Sequence, residues 1–368
     1  MKKLNNIKER KADHIEICLK EKVQASKITT GFEDVSLIHR ALPELELQKI
    51  DITTKVFDYT FSAPFFVGAM TGGTEKATKI NIALAEAVEE LHIGMGVGSQ
   101  RIAIDNPNVE KSFSVVREKA PTAFILANIG GPQLVSKYGI KEAKKAITMV
   151  KANALAIHLN PLQEAIQPEG DTNYSNLLQS IRKLTKELDV PVIVKETGSG
   201  ISLGDATLLE EAGVTGIDIA GAGGTSWAAV EYYRSKTRSD IYGQRLGLTF
   251  WDWGIPTAAS LVETVSSVNL PVIASGGIRN GIEIVKAIAL GAKLASATYP
   301  FLYPATKSSE DVKKAIQYLI EEVRNTMFLV GADSIEQLKN TPVVITGKTA
   351  EWLKVRGFQP EIYARRKP

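Results

Sequence analysis

Cysteine is nearly absent: Cys18 is the only one in 368 residues. That excludes an intrachain disulfide framework and fits a reducing compartment. Long hydrophobic runs are missing as well. No stretch approaches the ~18 consecutive apolar residues of a membrane-spanning helix. The start, MKKLNNIKERKADH, is basic but has no apolar core behind it, which excludes a secretory signal. Charge of one sign is scarce too. The formal net charge is +3, and no Lys/Arg block is long enough to make a nucleic-acid surface. What remains is 44% hydrophobic and 23% charged, with a mean hydropathy near zero. Such a composition is that of a soluble, cytoplasmic globular protein able to bury a full core.

From Phe65 onward, short apolar runs recur and each ends in glycine or polar residues. They are Phe65–Ala69, Gly94–Gly98, Phe124–Asn128, Ala154–Leu159, Val192–Lys195, Gly216–Ala220, Val272–Ser275 and Lys293–Thr298. Two of them start alike, at Val190-Pro191-Val192 and Leu270-Pro271-Val272, and proline is tolerated where a strand begins. Continuous rather than alternating apolarity fits parallel strands covered on both faces. Helical periodicity fills the gaps, as in Ile80, Ala83, Leu84, Ala87, Val88 and Leu91, and again in Ile284, Val285, Ile288 and Ala289. The alternation predicts an α/β fold, a (β/α)8 TIM barrel of close to the usual ~250 residues. An open doubly wound sheet is the runner-up. One barrel domain over 1–368 is expected, with an N-terminal lid and cap at 1–64, the barrel at 65–300 and C-terminal helices at 301–368. Within the cap, the β-rich stretch 50–61 is expected to close the barrel bottom.

In such barrels the site lies at the C-terminal ends of the strands. The most informative of these ends reads ALAIHLNPLQE, Ala154–Glu164: an apolar run delivering His158, Asn160, Gln163 and Glu164 within seven residues. An imidazole, two amides and a carboxylate suffice to read a polar ligand, shuttle a proton and hold a hard cation. Two glycine clusters, Ala220–Trp227 and Ser275–Gly281, follow the sixth and seventh strands, where backbone N–H groups can approach a phosphate. Lys195 ends its strand, so its amine is expected in the barrel mouth, to form a Schiff base, pair with an anion or stabilise charge on a ring. A structural pair with Glu196 is the plainer alternative, although neighbouring strand residues point to opposite faces. Arg10, Lys11 and His14 share a helix-like segment before the barrel. Charge patterning alone makes that segment a solvated face rather than a basic lid for an acidic substrate.

Taken together, these residues resemble the type 2, FMN-dependent isopentenyl-diphosphate isomerases. The pieces that carry the likeness are Arg10-Lys11-Ala12-Asp13-His14, Met70-Thr71-Gly72-Gly73, Gly98-Ser99-Gln100-Arg101, His158–Glu164, Val194-Lys195-Glu196, Gly223-Gly224-Thr225, Trp253–Thr257 and Ser275–Arg279. They run from Arg10 to about Gly357. The resemblance implies conversion of isopentenyl diphosphate to dimethylallyl diphosphate, with reduced FMN, NADPH as reductant and Mg2+. It assigns the flavin to Gly68, Ala69, Met70, Thr71, Ser99, Asn128, Lys195, Ala220, Thr225, Gly276, Gly277, Ile278, Arg279, Thr298 and Tyr299. The diphosphate falls to Arg10, Lys11, His14, Ser99, Gln100, Arg101, His158 and Asn160, and Mg2+ to Glu164. Gln163, His158 and Lys195 are the implied catalytic set, with Gln163 toward the reacting carbons. A homo-oligomer, tetramer or octamer, is implied as well. Three positions depart from the family pattern: Ala220 where relatives often carry a hydroxyl, Tyr299 where a leucine is common, and Asp13 in place of a glutamate.

Other classes compete. An FMN oxidoreductase of 2-hydroxy acids needs a histidine base beside a carboxylate-binding arginine, and no such pair follows the seventh strand. A barrel nucleotide dehydrogenase needs a loop cysteine, and Cys18 lies far from any strand end. A flavin-free Lys195 Schiff-base lyase would be colourless. A flavin protein without catalysis is opposed by Gln163 and Glu164.

Overall fold

The computed structural model describes the backbone of residues 2–367 and the side chains of residues 9–367. Eight parallel strands close into a barrel: β1 (Phe65–Val67), β2 (Gly94–Gly96), β3 (Ile125–Gly130), β4 (Ala154–His158), β5 (Val192–Lys195), β6 (Gly216–Asp218), β7 (Val272–Ser275) and β8 (Leu294–Ala297). Each pairs with the next in sequence, and β8 returns to β1. The closed sheet is the expected TIM barrel and not the open runner-up. Several strands stop one or two residues short of their apolar runs, as at Ala69 and Ala220, because the chain turns into the rim loop there.

The helices follow the apolar stripes. In Glu75–Glu90 the stripe Ile80, Ala83, Leu84, Ala87 and Val88 is buried. That helix begins where the Thr74 hydroxyl accepts from Ala77 N at 3.1 Å, satisfying one of the free N–H groups of its first turn. Asn280 does the same for Gly281–Ala289, accepting from Glu283 N at 2.9 Å.

At the barrel bottom, the hairpin Thr54–Val56/Tyr59–Phe61 turns through Phe57 and Asp58, both at positive φ (53° and 57°), the conformation of a tight hairpin turn. Phe61 packs on Phe124 with ring centroids 5.3 Å apart. Gly94 and Gly216, the first residues of β2 and β6, leave room for the Phe61 and Phe57 rings, which a Cβ there would meet at 2.9 and 2.7 Å. The rings of the 50–61 stretch thus pack against the N-terminal ends of β2 and β6.

The C-terminal region holds helices Ser309–Val330, Ile335–Asn340, Gly347–Val355 and Glu361–Ala364. It also holds a strand, Val343–Ile345, that pairs antiparallel with Val35–Leu37. Both partners are three residues long and lie at opposite ends of the chain, so no local pattern announces them. Among the described residues, no helix is long and apolar enough to cross a membrane.

Candidate active site

A deep cavity opens at the C-terminal mouth of the barrel, and residues from the end of every strand line it. Strand register sets one row of it: Gly130 pairs with His158, His158 with Lys195, and Lys195 with Asp218. Every predicted site residue except Gln100 lines the cavity. Gln100 is fully buried, and its Nε2 donates to Ala146 O at 2.8 Å, away from the mouth. The expectation that it holds a substrate is therefore corrected: a side chain tied to the helix behind β3 has no free group for a ligand.

One side of the cavity is a backbone anion cradle. Gly276 and Gly277 have φ of 98° and 77°, conformations that favour glycine. A Cβ on Gly224 would run into the Gly277 backbone, and one on Gly276 into Gly221, so the two glycine loops meet main chain to main chain. Among the described residues, no acceptor takes the N–H of Gly276, Gly277 or Ile278. Successive free N–H groups turned inward form a nest for an anion. Arg279 is braced beside them, donating to Gln24 Oε1 at 2.8 Å and to Ile278 O at 3.0 Å, with its guanidinium 4.8 Å from the Tyr299 ring centroid.

The opposite side is cationic. Helix α1 (Lys2–Lys20) lies across the mouth, and its Arg10, Lys11 and His14 face inward. The solvated-face expectation is thereby corrected, since the helix has a cavity rather than water beneath it. Lys11 Nζ donates to Ser99 O at 2.7 Å. Burial, then neighbouring Arg10, pushes the Lys11 amine down to about 7. His158 is pushed down to about 3, first by burial and then by Lys195, Lys11, Arg10 and Arg101. Arg10, Lys11, Arg101 and Lys195 thus share one cavity with His158, while two carboxylates, Glu164 and Asp218, line it as well, a basic excess that suits an anion.

Between these sides stands helix Pro161–Ile166, whose first turn carries Gln163 and Glu164. Asn160 Nδ2 bridges Gln163 Oε1 at 3.2 Å and Glu164 Oε1 at 3.1 Å. The other Glu164 oxygen accepts from Asp171 N at 2.6 Å. Among the described residues, no group of three or more His, Cys, Asp or Glu side chains is placed to hold a metal. A cation on Glu164 would have to complete its shell with ligand oxygens.

Lys195 does not pair with the Glu196 carboxylate. Its amine donates to the Glu196 main-chain oxygen, while the carboxylate accepts from Thr197 and Gly198 N at 2.6 Å each. Burial raises Glu196 to about 7 even against those bonds. Asp218, buried level with Lys195, accepts from the Ser275 hydroxyl. Its carboxyl is raised by burial, with Lys195 and Ser275 pulling the other way.

The sequence reading missed the network that seats α1. His14 Nε2 meets Glu231 Oε1 at 2.9 Å and packs edge-on against Trp227. Arg234 Nη1 lies 3.0 Å from Glu231 Oε2, and its Nη2 also bonds Glu169. The signal was present: Trp227, Glu231 and Arg234 fall at helical spacing on one face, and two charges on an inner face need partners.

Comparison with known proteins adds the following. The family described as FMN-dependent dehydrogenase matches residues 132–345. An isopentenyl-diphosphate delta-isomerase of Methanosarcina barkeri is 51% identical over 361 residues, 98% of each chain. One of Pyrococcus furiosus is 50% identical over 355 residues, 94% of this chain and 89% of its own. Among solved structures, a flavocytochrome b2 variant superposes with a TM-score of 0.65 at 19% identity, covering 91% of this chain and 83% of its own. A mandelate oxidase does so at 0.63 and 18% identity, covering 94% and 98%. At such identities the structural likeness shows the barrel fold alone.

Proposed function

Since the chain belongs to the type 2, FMN-dependent isopentenyl-diphosphate delta-isomerase family and is an isomerase, we propose that it shifts the double bond of isopentenyl diphosphate to give dimethylallyl diphosphate with reduced FMN and Mg2+. One observation carries the reading: a single cavity holds both a free backbone nest and, across from it, a cationic cluster with one carboxylate. Two separate phosphate-type anions account for both better than one.

The residues fit the groups assigned to them. The nest at Gly276, Gly277 and Ile278, where a Cβ on Gly276 would strike Gly221, suits a flavin phosphate, with Thr225, Arg279, Thr298 and Tyr299 around it. Ala220 lines the same wall at φ 36°, so the missing hydroxyl leaves main-chain donors as the phosphate's principal partners. Lys195, at the end of β5, would place its charge beside the ring and favour an anionic reduced form. Bound reduced flavin supplies the proton transfers at the hydrocarbon. Arg10, Lys11, Ser99, Arg101, His158 and Asn160 bind and orient the diphosphate. Glu164 gives Mg2+ its one protein carboxylate, in keeping with a metal that is held by one or two carboxylates plus phosphate oxygens. Gln163, held by Asn160, faces the hydrocarbon and excludes water. NADPH as reductant, a cytoplasmic location and a homo-oligomer complete the proposal. The exposed Ile241, Tyr242 and Trp253 support the last of these.

Hydroxy-acid oxidation is the second reading, and the site opposes it: Arg279 is occupied by Gln24 and Tyr299, with no histidine in the loop after β7. The test is product analysis on FMN-loaded, reduced protein given isopentenyl diphosphate and Mg2+. Dimethylallyl diphosphate supports the reading, and its absence refutes it. Lys11→Ala should raise KM about 10- to 100-fold, the loss of one charge-assisted hydrogen bond of about 1.5–3 kcal/mol. A fall in kcat at unchanged KM would move Lys11 out of the diphosphate site.

A further inference from the structure

We propose that Asn128 is a positioning residue that fixes His158 as the Nδ1–H tautomer, so that Nε2 faces the cavity as an acceptor and one proton must accompany the diphosphate to that atom. The second half rests on reading the cavity as a diphosphate site.

The argument begins with amide orientation. Asn128 Nδ2 donates to Val97 O at 3.0 Å. The reverse orientation would set oxygen against oxygen, so Oδ1 is the atom turned to the ring, 2.7 Å from His158 Nδ1. An amide oxygen only accepts, and Nδ1 must therefore carry the proton. Asn128 cannot easily drift from this setting. Its N–H donates to Gln100 Oε1 at 2.8 Å and its carbonyl accepts from Gln100 N at 2.9 Å. Gln100 is itself tied to Ala146 O. The glutamine that fails to reach the cavity thus sets the atom that sets the histidine.

The ionisable groups facing His158 are Lys195 of β5, Arg101 after β2, and Arg10 and Lys11 of α1. Burial first, and these groups after it, hold the imidazole down to about 3, so the ring is neutral and Nε2 holds a lone pair. A fully ionised diphosphate oxygen also offers only lone pairs. The contact forms once a proton lies between them, brought either as a P–OH group or taken from solvent by the ring as the anion offsets the surrounding charge.

The tautomer is read by 15N NMR on FMN-loaded full-length protein with labelled histidine, the His158 signals being those lost in His158→Gln. Expected for the wild type are a protonated, pyrrole-type Nδ1 and a pyridine-type Nε2. Asn128→Asp should convert the ring to imidazolium, and Asn128→Ala should let the two tautomers interchange. An unchanged far-ultraviolet circular dichroism spectrum and melting transition show that each variant is folded. An Nε2–H form in the wild type, or an unchanged tautomer in Asn128→Ala, would overturn the positioning role. The proton is read by calorimetry with isopentyl diphosphate, a saturated analogue, and Mg2+ in buffers of different ionisation heat. Uptake of about one proton per site is expected above the last ionisation of the analogue, measured in a Lys11→Arg background because the Lys11 amine, down to about 7, would otherwise take up a proton as well. No uptake, or uptake unchanged on adding His158→Gln, would overturn the acceptor role. Failure of the analogue to bind would overturn the diphosphate reading of the cavity and the proton coupling with it. The free protein's tautomer is decided separately.

Discussion

Arg234→Met is expected to destabilise the protein by about 3 kcal/mol, the usual cost of leaving one member of a buried ion pair without its partner. The Arg234 side chain is 2% exposed and that of Glu231 0%, so water cannot replace what is lost. In a chain of this size the melting temperature should fall on the order of 5 °C. The same change loosens the seat of α1, because Arg234 also approaches Asp13 of that helix at 3.8 Å. KM for the diphosphate should therefore rise together with the loss of stability. Arg234→Met combined with Glu231→Gln should recover part of the stability, since the fully buried carboxylate is then gone and only the part-exposed Glu169 and Asp13 lose a partner. If the double variant were no better than the single one, the buried carboxylate would not be the source of the cost.

The pair also sets an acid limit. Burial opposes the Glu231 charge, but the bonds from His14 and Arg234 hold its carboxyl down to about 2, against an ordinary 4.5. A carboxyl depressed in the folded state contributes stability that is fully present above 4.5 and is lost as pH falls through about 2. The hold of α1 on the barrel should weaken over the same window.

Glu164→Gln is expected to raise the Mg2+ concentration needed for turnover by about 100-fold, at least the upper end of what losing a metal's supporting contacts costs. The glutamine keeps the shape and can still accept from Asn160, so Gln163 stays in place. FMN retention should be unaffected, because the backbone nest lies on the other side of the cavity. Titrating Mg2+ against initial rate distinguishes the roles. An unchanged Mg2+ requirement with a collapsed kcat would make Glu164 a general base instead of a metal ligand.

Much of the barrel was legible because each strand is a local pattern. Val192–Lys195 and Val272–Ser275 begin and end where the apolar runs do, with a proline before each and a polar residue, Lys195 or Ser275, at its end. The rim residues were legible for the same reason, since a strand end says which face of the barrel a side chain reaches. Gln100 was misread because the residue after Ser99 shares its motif but not its direction. The cations of α1 looked like a solvated face because a helix's own sequence does not say what lies beneath it. Glu231 and Arg234 gain their meaning only when His14 arrives from 217 residues away.

The central claim is that a flavin-bearing barrel performs an isomerisation without net redox change. The most direct measurement is the ratio of dimethylallyl diphosphate formed to NADPH consumed. It is taken with FMN-loaded protein, Mg2+, excess isopentenyl diphosphate and NADPH below one equivalent of enzyme. Reduction should be needed once per active site, so the account predicts a ratio that climbs far beyond one as turnover continues. One NADPH consumed per product, or no dimethylallyl diphosphate at all, would contradict it.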